Sequence, residues 1–288
     1  MRNPQPMKPP ASFLLIPLAF AAVSAALLVG TGCKKSEAPA TGEAPGIPTL
    51  KVGVNPVPHG EILRAAVPVA LRDGVRVEVV EFTDYVQPNI ALADQQLDAN
   101  YFQHVPYLER FAEDRKLSLR SAGSVHLEPL ALYSTKFRQL AELPEGAQVT
   151  IPADPSNASR ALHLLADQGL LRLREGAGAG ATLQDVVGNP RKLELREIDA
   201  EQQPRTLQDV AAAVINGNYF LEAQKHLNLD AKVLARESAT RNPYANVLVV
   251  RKGDEGRPEV RTLLKALQSQ EVRRFIESNY GGAVVPAF

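Results

Sequence analysis

Arg160 follows Ser156 and Asn157 in the first turn of an expected helix, where free backbone N–H groups and a guanidinium together can hold a carboxylate. Asn216 opens an Asn-Gly-Asn run after a short apolar segment. Asn246 interrupts another apolar run, where a buried amide needs a partner. Tyr85, Phe102, His104 and Tyr107 gather aromatic surface into two neighbouring loops of a chain that is only 6% aromatic and has no Trp. A carboxylate holder, amide oxygens for an ammonium and an aromatic slot describe a site for a free amino acid. The slot suits a thioether, which is polarizable and packs against ring edges. Each part also has a plainer explanation: a tolerated surface charge for Arg160, core packing for rings such as Tyr101 and Phe111, and a simple turn for Asn-Gly-Asn.

Catalytic patterns are lacking. The chain holds no G-x-S-x-G elbow, H-E-x-x-H pair, P-loop or G-x-G-x-x-G. Gly176-Ala177-Gly178-Ala179-Gly180 has no strand-like run directly before it and reads as a connector. The five His residues (59, 104, 126, 163 and 226) show no metal-ligand spacing. The expectation is a protein that is not an enzyme and uses neither cofactor nor metal. A cation receptor built on His59, His104 and carboxylates is the alternative from another class, and the guanidinium of Arg160 argues against it. With 32 basic and 32 acidic residues and no basic run, the chain offers nothing for nucleic acid.

The elements that would position these residues alternate between strand-like and helical patterns. Lys51 to Val54 reads as a strand, and Glu61 to Leu71 as a helix kinked or ended by Pro68. Val75 to Phe82 alternates like a strand, and Thr83 or Asp84 can cap a helix through Leu92. Ala99 to Gln103 and a helix from Pro106 through Phe111 close the first series. A second series runs through a strand at Val149, a helix from Ala158 to Gln168 stopped by Gly169, and strands at Leu193 to Ile198 and Val210 to Ile215. Tyr244 to Val250 is a last strand, and Glu259 to Ser278 a last amphipathic helix. Two such series predict two α/β lobes with parallel-type sheets and helices on both faces. Ligands of open α/β sheets sit beyond the carboxyl ends of the strands. That places the site at Pro56–His59, Tyr85 with Phe102–Tyr107, Ser156–Arg160 and Asn216–Asn218.

Before these lobes comes an export signal. Arg2 and Lys8 precede an apolar run from Phe13 to Val29, and Gly30-Thr31-Gly32 leads into Cys33, the only cysteine. This order predicts cleavage after residue 32 and diacylglyceryl transfer to Cys33, with palmitate-type acylation of the new terminus. Gly30 stands where Leu is most often found. Residues 33–48 read as a flexible tether.

Several stretches in order carry a resemblance: Val52-Gly-Val-Asn-Pro-Val-Pro-His-Gly-Glu-Ile-Leu63, Phe82-Thr-Asp-Tyr-Val-Gln-Pro-Asn89, Asp98-Ala-Asn-Tyr-Phe-Gln-His-Val-Pro-Tyr-Leu108, Ile151-Pro-Ala-Asp-Pro-Ser-Asn-Ala-Ser-Arg-Ala-Leu162, Ala213-Val-Ile-Asn-Gly-Asn-Tyr219, Asn242-Pro-Tyr-Ala-Asn-Val-Leu248 and Gly281-Gly-Ala-Val284. From about Leu50 to Phe288 the sequence resembles the methionine-binding lipoproteins of bacterial ABC importers, the NlpA/MetQ family. The resemblance implies a two-lobed periplasmic-binding-protein fold (type II-like) with a ligand cleft between lobes. Lobe one is expected at 49–133 and 244–288, and lobe two at 134–243. It further implies that Arg160 binds the ligand carboxylate and that Asn216 and Asn246 hold amino and carboxylate groups. Tyr85, Phe102, His104 and Tyr107 would enclose the side chain, while His59 and Asn157 match motif positions. The implied partners are methionine (L- and also D-) and an ABC permease with its ATPase in the membrane. The implied location is the cell envelope, lipid-anchored and facing the periplasm or exterior. Other apolar amino acids or a methionine-containing peptide are same-class alternatives.

Overall fold

The computed structural model describes residues 46–227, 229–240 and 242–288. The expected signal at 1–32, Cys33 and most of the 33–48 tether lie outside the described residues.

In chain order the first group comprises β1 (Thr49–Val54), α1 (Glu61–Arg72), β2 (Arg76–Glu81), α2 (Gln87–Ala93), β3 (Ala99–His104), α3 (Val105–Arg115) and β4 (Leu119–Leu127). The second comprises β5 (Ala131–Ser134), β6 (Gln148–Pro152), α4 (Pro155–Asp167), the short pair β7 (Arg172–Leu173) and β8 (Val186–Gly188), β9 (Glu194–Ile198), α5 (Gln203–Thr206), β10 (Ala212–Ile215), α6 (Gly217–Leu227) and β11 (Lys232–Arg236). The chain closes with β12 (Ala245–Arg251), α7 (Pro258–Leu267), α8 (Gln270–Tyr280) and β13 (Val285–Pro286).

These strands form a six-stranded sheet ordered β13-β4-β12-β3-β1-β2 and a five-stranded sheet ordered β11-β5-β10-β6-β9. The chain therefore leaves the first sheet after β4 and returns to it at β12. The expected boundary at residue 133 falls inside β5, which pairs with β10 and β11 and so belongs wholly to the second sheet. Neither sheet is purely parallel. β1, β2 and β3 run parallel, but β12 pairs antiparallel with both β3 and β4. In the second sheet β5 runs antiparallel to β10 and β11. The antiparallel members flank the crossings, where a strand must enter its sheet without a helical crossover.

Burial on both faces explains the apolar runs. In β12, Leu248 and Val250 join the core under α1, α7 and α8, whereas Val247 and Val249 face the cluster around Leu92 and Leu108. In β10, Ala212 and Val214 face the core beneath α4, and Ala213 and Ile215 face Tyr219 and Phe220. This is the pattern of strands covered on both sides.

Two expected elements differ, and one strand at the site was not expected. Pro68 does not end its helix: α1 continues to Arg72 with Pro68 in its exposed face, where the carbonyl it frees can reach water. The final helix divides at Gln268–Ser269, where the Ser269 hydroxyl accepts from the Val272 N–H, 3.3 Å away, and starts α8. Strand β4 has no counterpart among the expected elements. Among the described residues, no helix is long and apolar enough to cross a membrane.

Candidate ligand-binding site

Four strand ends converge on one cavity. All nine expected residues line it: His59, Tyr85, Phe102, His104, Tyr107, Asn157, Arg160, Asn216 and Asn246. Gln103, Glu128, Gly217 and Asn218 complete the wall.

At the β3–α3 junction, His104 has the extended backbone of a helix cap, and its Nδ1 accepts from the Tyr107 N–H at 3.1 Å. Its Nε2 lies 3.1 Å from Asn157 Oδ1, an acceptor, so the proton sits on Nε2 and the ring is neutral. Burial first, and then the positive charge of Arg160, push His104 down to about 3. Behind this turn, Asn89 of α2 donates to Gln103 Oε1 at 2.9 Å and accepts from Asn100 and Gln103, which ties α2 to β3. In front of it, Tyr85 packs with ring centroids 5.8 Å from Phe102, 5.6 Å from Tyr107 and 4.9 Å from Tyr219. The four rings that line the cavity thus come from the first lobe, and Tyr219 of the second packs against Tyr85 outside the cavity wall.

At the β6–α4 junction the cap is Asp154, not Ser156 or Asn157. Its carboxylate accepts from the Asn157 N–H at 2.9 Å. Since α4 begins at Pro155, Arg160 lies in its second turn, beyond the free N–H groups of the first. The anion-binding case for Arg160 thus rests on its guanidinium alone. That side chain is 4% exposed, and its Nε and Nη2 donate to Glu237 at 2.8 and 2.6 Å. Nη2 also donates to the Glu128 carbonyl at 2.9 Å, and the guanidinium stacks 4.2 Å from the Tyr244 ring centroid. Among the described residues Nη1 has no protein partner, so it is the nitrogen left for an incoming anion.

The amides are also divided between bracing and free atoms. Asn157 Oδ1 accepts from both His104 and Asn216 Nδ2, the latter at 3.0 Å, and Asn157 Nδ2 donates to Asp154, so its polar atoms are engaged. Asn216 Oδ1 and Asn218 Nδ2 are buried without partners. Asn218 Oδ1 accepts from the Tyr85 hydroxyl at 2.5 Å across the lobes. Asn246 Oδ1 takes the His59 Nε2 proton at 3.0 Å, which leaves its Nδ2 donors for the cavity.

Gln103, Gly217 and Asn218 lie within the segments expected at the site without having been given a role, whereas Glu128 and the pair Glu237–Tyr244 lie outside those segments. Glu128 follows the unexpected β4, and the only local signal is a charged residue after the buried Val125-His126-Leu127 end of that strand, immediately before Pro129. Donor atoms of His59, His126 and Glu128 lie within 4.8 Å of one another, the one grouping of possible metal ligands found among the described residues. His104 is not part of it.

A cavity closed by four strand ends from two mixed sheets, with polar groups from both lobes, is the site of a periplasmic-type solute-binding protein. The NlpA lipoprotein family model matches residues 50–288, and the chain belongs to that family. The methionine-binding lipoprotein MetQ of Bacillus subtilis is 36% identical over 92% of this chain and 97% of its own length. The structure of a nutrient binding protein from Burkholderia cenocepacia bound to methionine is 45% identical with a TM-score of 0.79, covering 83% of this chain and all of that one. A periplasmic substrate-binding protein of an ABC transporter from Coxiella burnetii is 38% identical with a TM-score of 0.77, over 83% of this chain and 100% of that chain.

Proposed function

We propose that this protein captures methionine in the cell envelope and delivers it to an ABC permease, making and breaking no bond. The observation that carries the reading is the lining of the cavity, where the free donors of Arg160 and Asn246, the free acceptor of Asn216 and an aromatic slot come together. Arg160 Nη1 and Asn246 Nδ2 take the carboxylate, Asn216 Oδ1 takes an ammonium proton, and Tyr85, Phe102, His104 and Tyr107 enclose the thioether. His59 and Asn157 act indirectly: His59 orients Asn246, and Asn157 braces His104 and Asn216. A ligand touching both lobes binds the closed form better, shifts the population towards it and so marks the loaded receptor for the permease. Acylation at Cys33 keeps the receptor near that permease and raises its effective concentration there.

The test is calorimetry on the full chain in detergent, unfolded and refolded to strip bound ligand. Tight binding of L-methionine is expected, with D-methionine, leucine and a methionine dipeptide as competitors and EDTA without effect. Tight binding of another solute in place of methionine, or of a divalent cation, would overturn the substrate.

A further inference from the structure

Helix α6 of the second lobe meets the first lobe at a place away from the ligand cavity. Its first residues, Gly217 and Asn218, line that cavity, and Leu221 and Lys225 follow along the helix on one shared face. Leu221 packs against the hydrophobic core of the first lobe. With Val57, Ala65 and Phe275 of that lobe it also lines a groove running between the two. One turn further along α6, the Lys225 ammonium pairs with the carboxylate of Glu61, the first residue of α1. Glu61, Leu221 and Lys225 all lie outside the cavity wall.

The pair forms in preference to nearer partners. Lys225 bonds across the lobes rather than to Glu222, one turn before it in its own helix. Arg64, one turn after Glu61, donates instead to Glu81 at 2.5 Å. Glu61 is also held ready, because the buried Tyr280 hydroxyl of α8 donates to its Oε2 at 2.7 Å and leaves Oε1 for Lys225. The Glu61 and Lys225 side chains are 30% and 46% exposed, so water takes over each of them readily once they part. A rotation that opens the cavity must draw α6 away from the Pro56–Gly60 turn and α1, which it now packs against. That motion breaks the ion pair and uncovers Leu221.

We propose that Lys225, Glu61 and Leu221 form an interlobe latch, positioning residues that hold the receptor closed around its solute without touching it and so set how long the solute stays. The inference rests on the capture-by-closure reading above and not on which solute is captured. Because the latch acts only on the closed population, its loss weakens the apparent affinity for every solute by one common factor.

A double-variant cycle tests it, using full-length protein in detergent stripped of ligand. Lys225→Met keeps an unbranched stem and removes the charge, and Glu61→Gln keeps an acceptor for Tyr280. Each should raise the methionine Kd about 2- to 5-fold, as suits a half-exposed ion pair. The change should lie in faster dissociation in stopped-flow traces, with association within about twofold of wild type. The double variant should lose no more than the larger single loss. Leucine should lose the same factor as methionine in calorimetry. The urea midpoint of ligand-free Lys225→Met should match wild type, because the open form lacks the pair. Unchanged Kd in both single variants, multiplied losses in the double variant, or different factors for methionine and leucine would overturn the latch. A lowered ligand-free midpoint with an unchanged off-rate would overturn it too, leaving Lys225 a support for α6. A wild type that binds leucine but not methionine would strike the substrate reading alone, and the cycle is then read with leucine; binding of neither would strike both.

Discussion

Arg160→Ala should separate affinity from stability, because this guanidinium serves a partner in the protein and a partner in the cavity. Removing one member of a buried, hydrogen-bonded charge pair costs about 2–5 kcal/mol, so methionine affinity should fall by about 30-fold to several thousand-fold. The variant should also be less stable, since Glu237, 13% exposed, loses both short bonds from Arg160. The Leu130 N–H at 2.9 Å and Asn242 Nδ2 at 3.1 Å still donate to Glu237. With those left, the stability loss should be about 2–4 kcal/mol, somewhat below the usual cost of breaking a buried pair. Adding Glu237→Gln removes the stranded charge. The double variant should regain about 1 kcal/mol or more without regaining affinity. Urea denaturation of ligand-free protein reads the first quantity and calorimetry the second. Arg160→Ala binding within about threefold of wild type would refute the carboxylate assignment. A double variant no more stable than the single one would refute the account of Glu237.

Three further perturbations follow from the same geometry. His59, His104 and His126 are held by burial at about 4, 3 and 3, far below the ordinary 6.5, so the unfolded chain takes up their protons first. Stability should be complete above about pH 6.5 and fall below it by up to about 4 kcal/mol per pH unit, with Glu128 and Asp154, shifted upward by burial, flattening the acid end. Equal urea midpoints at pH 7 and pH 5 would contradict this. Gly217→Ala places a methyl 2.8 Å from Glu128 Oε2 and 2.9 Å from its Cβ, and should cost about 1–3 kcal/mol of stability together with affinity. Wild-type values in both assays would show that α6 can shift freely. Tyr85→Phe deletes the 2.5 Å bond to Asn218 across the lobes, and should raise the methionine Kd by about 2- to 10-fold, chiefly through faster dissociation in stopped-flow traces. An unchanged off-rate would remove that bond from the closure.

Much of the site was legible because its residues follow strands whose apolar pattern is strong. Val210 to Ile215 and Tyr244 to Val250 announce themselves, and the rule for ligands beyond strand ends then leads to Asn216 and the neighbouring loops. Strand β4 was illegible for a physical reason. Its Arg-Ser-Ala-Gly-Ser core has turn-like composition, and it is a strand because β12 and β13 pair with it and Leu264 of α7 packs onto Gly123. Glu128, at the end of β4, was hidden with it. The partners of Arg160 were equally out of reach, since Glu237 lies 77 residues away in the chain. Helix starts were misplaced by small amounts, as with Asp154, because Asp, Ser and Asn all compete for the cap position. The two-helix ending was missed because an apolar stripe continues across Ser269.

The two segments that join the sheets run side by side. Leu127 is registered with Ala245 and His126 with Asn246 as they leave the first sheet. Leu130 and Glu237 bond to each other through the backbone as they enter the second. Glu128, Tyr244 and Asn246 are borne on or beside this laced pair of segments. A rotation of one lobe against the other must twist about it, so these groups sit near the axle, while Tyr85 and Phe102 lie farther along the lever. The amino-acid head of a ligand would then meet nearly the same surroundings at every angle of the jaw, and only its tail would register how far the jaw has closed.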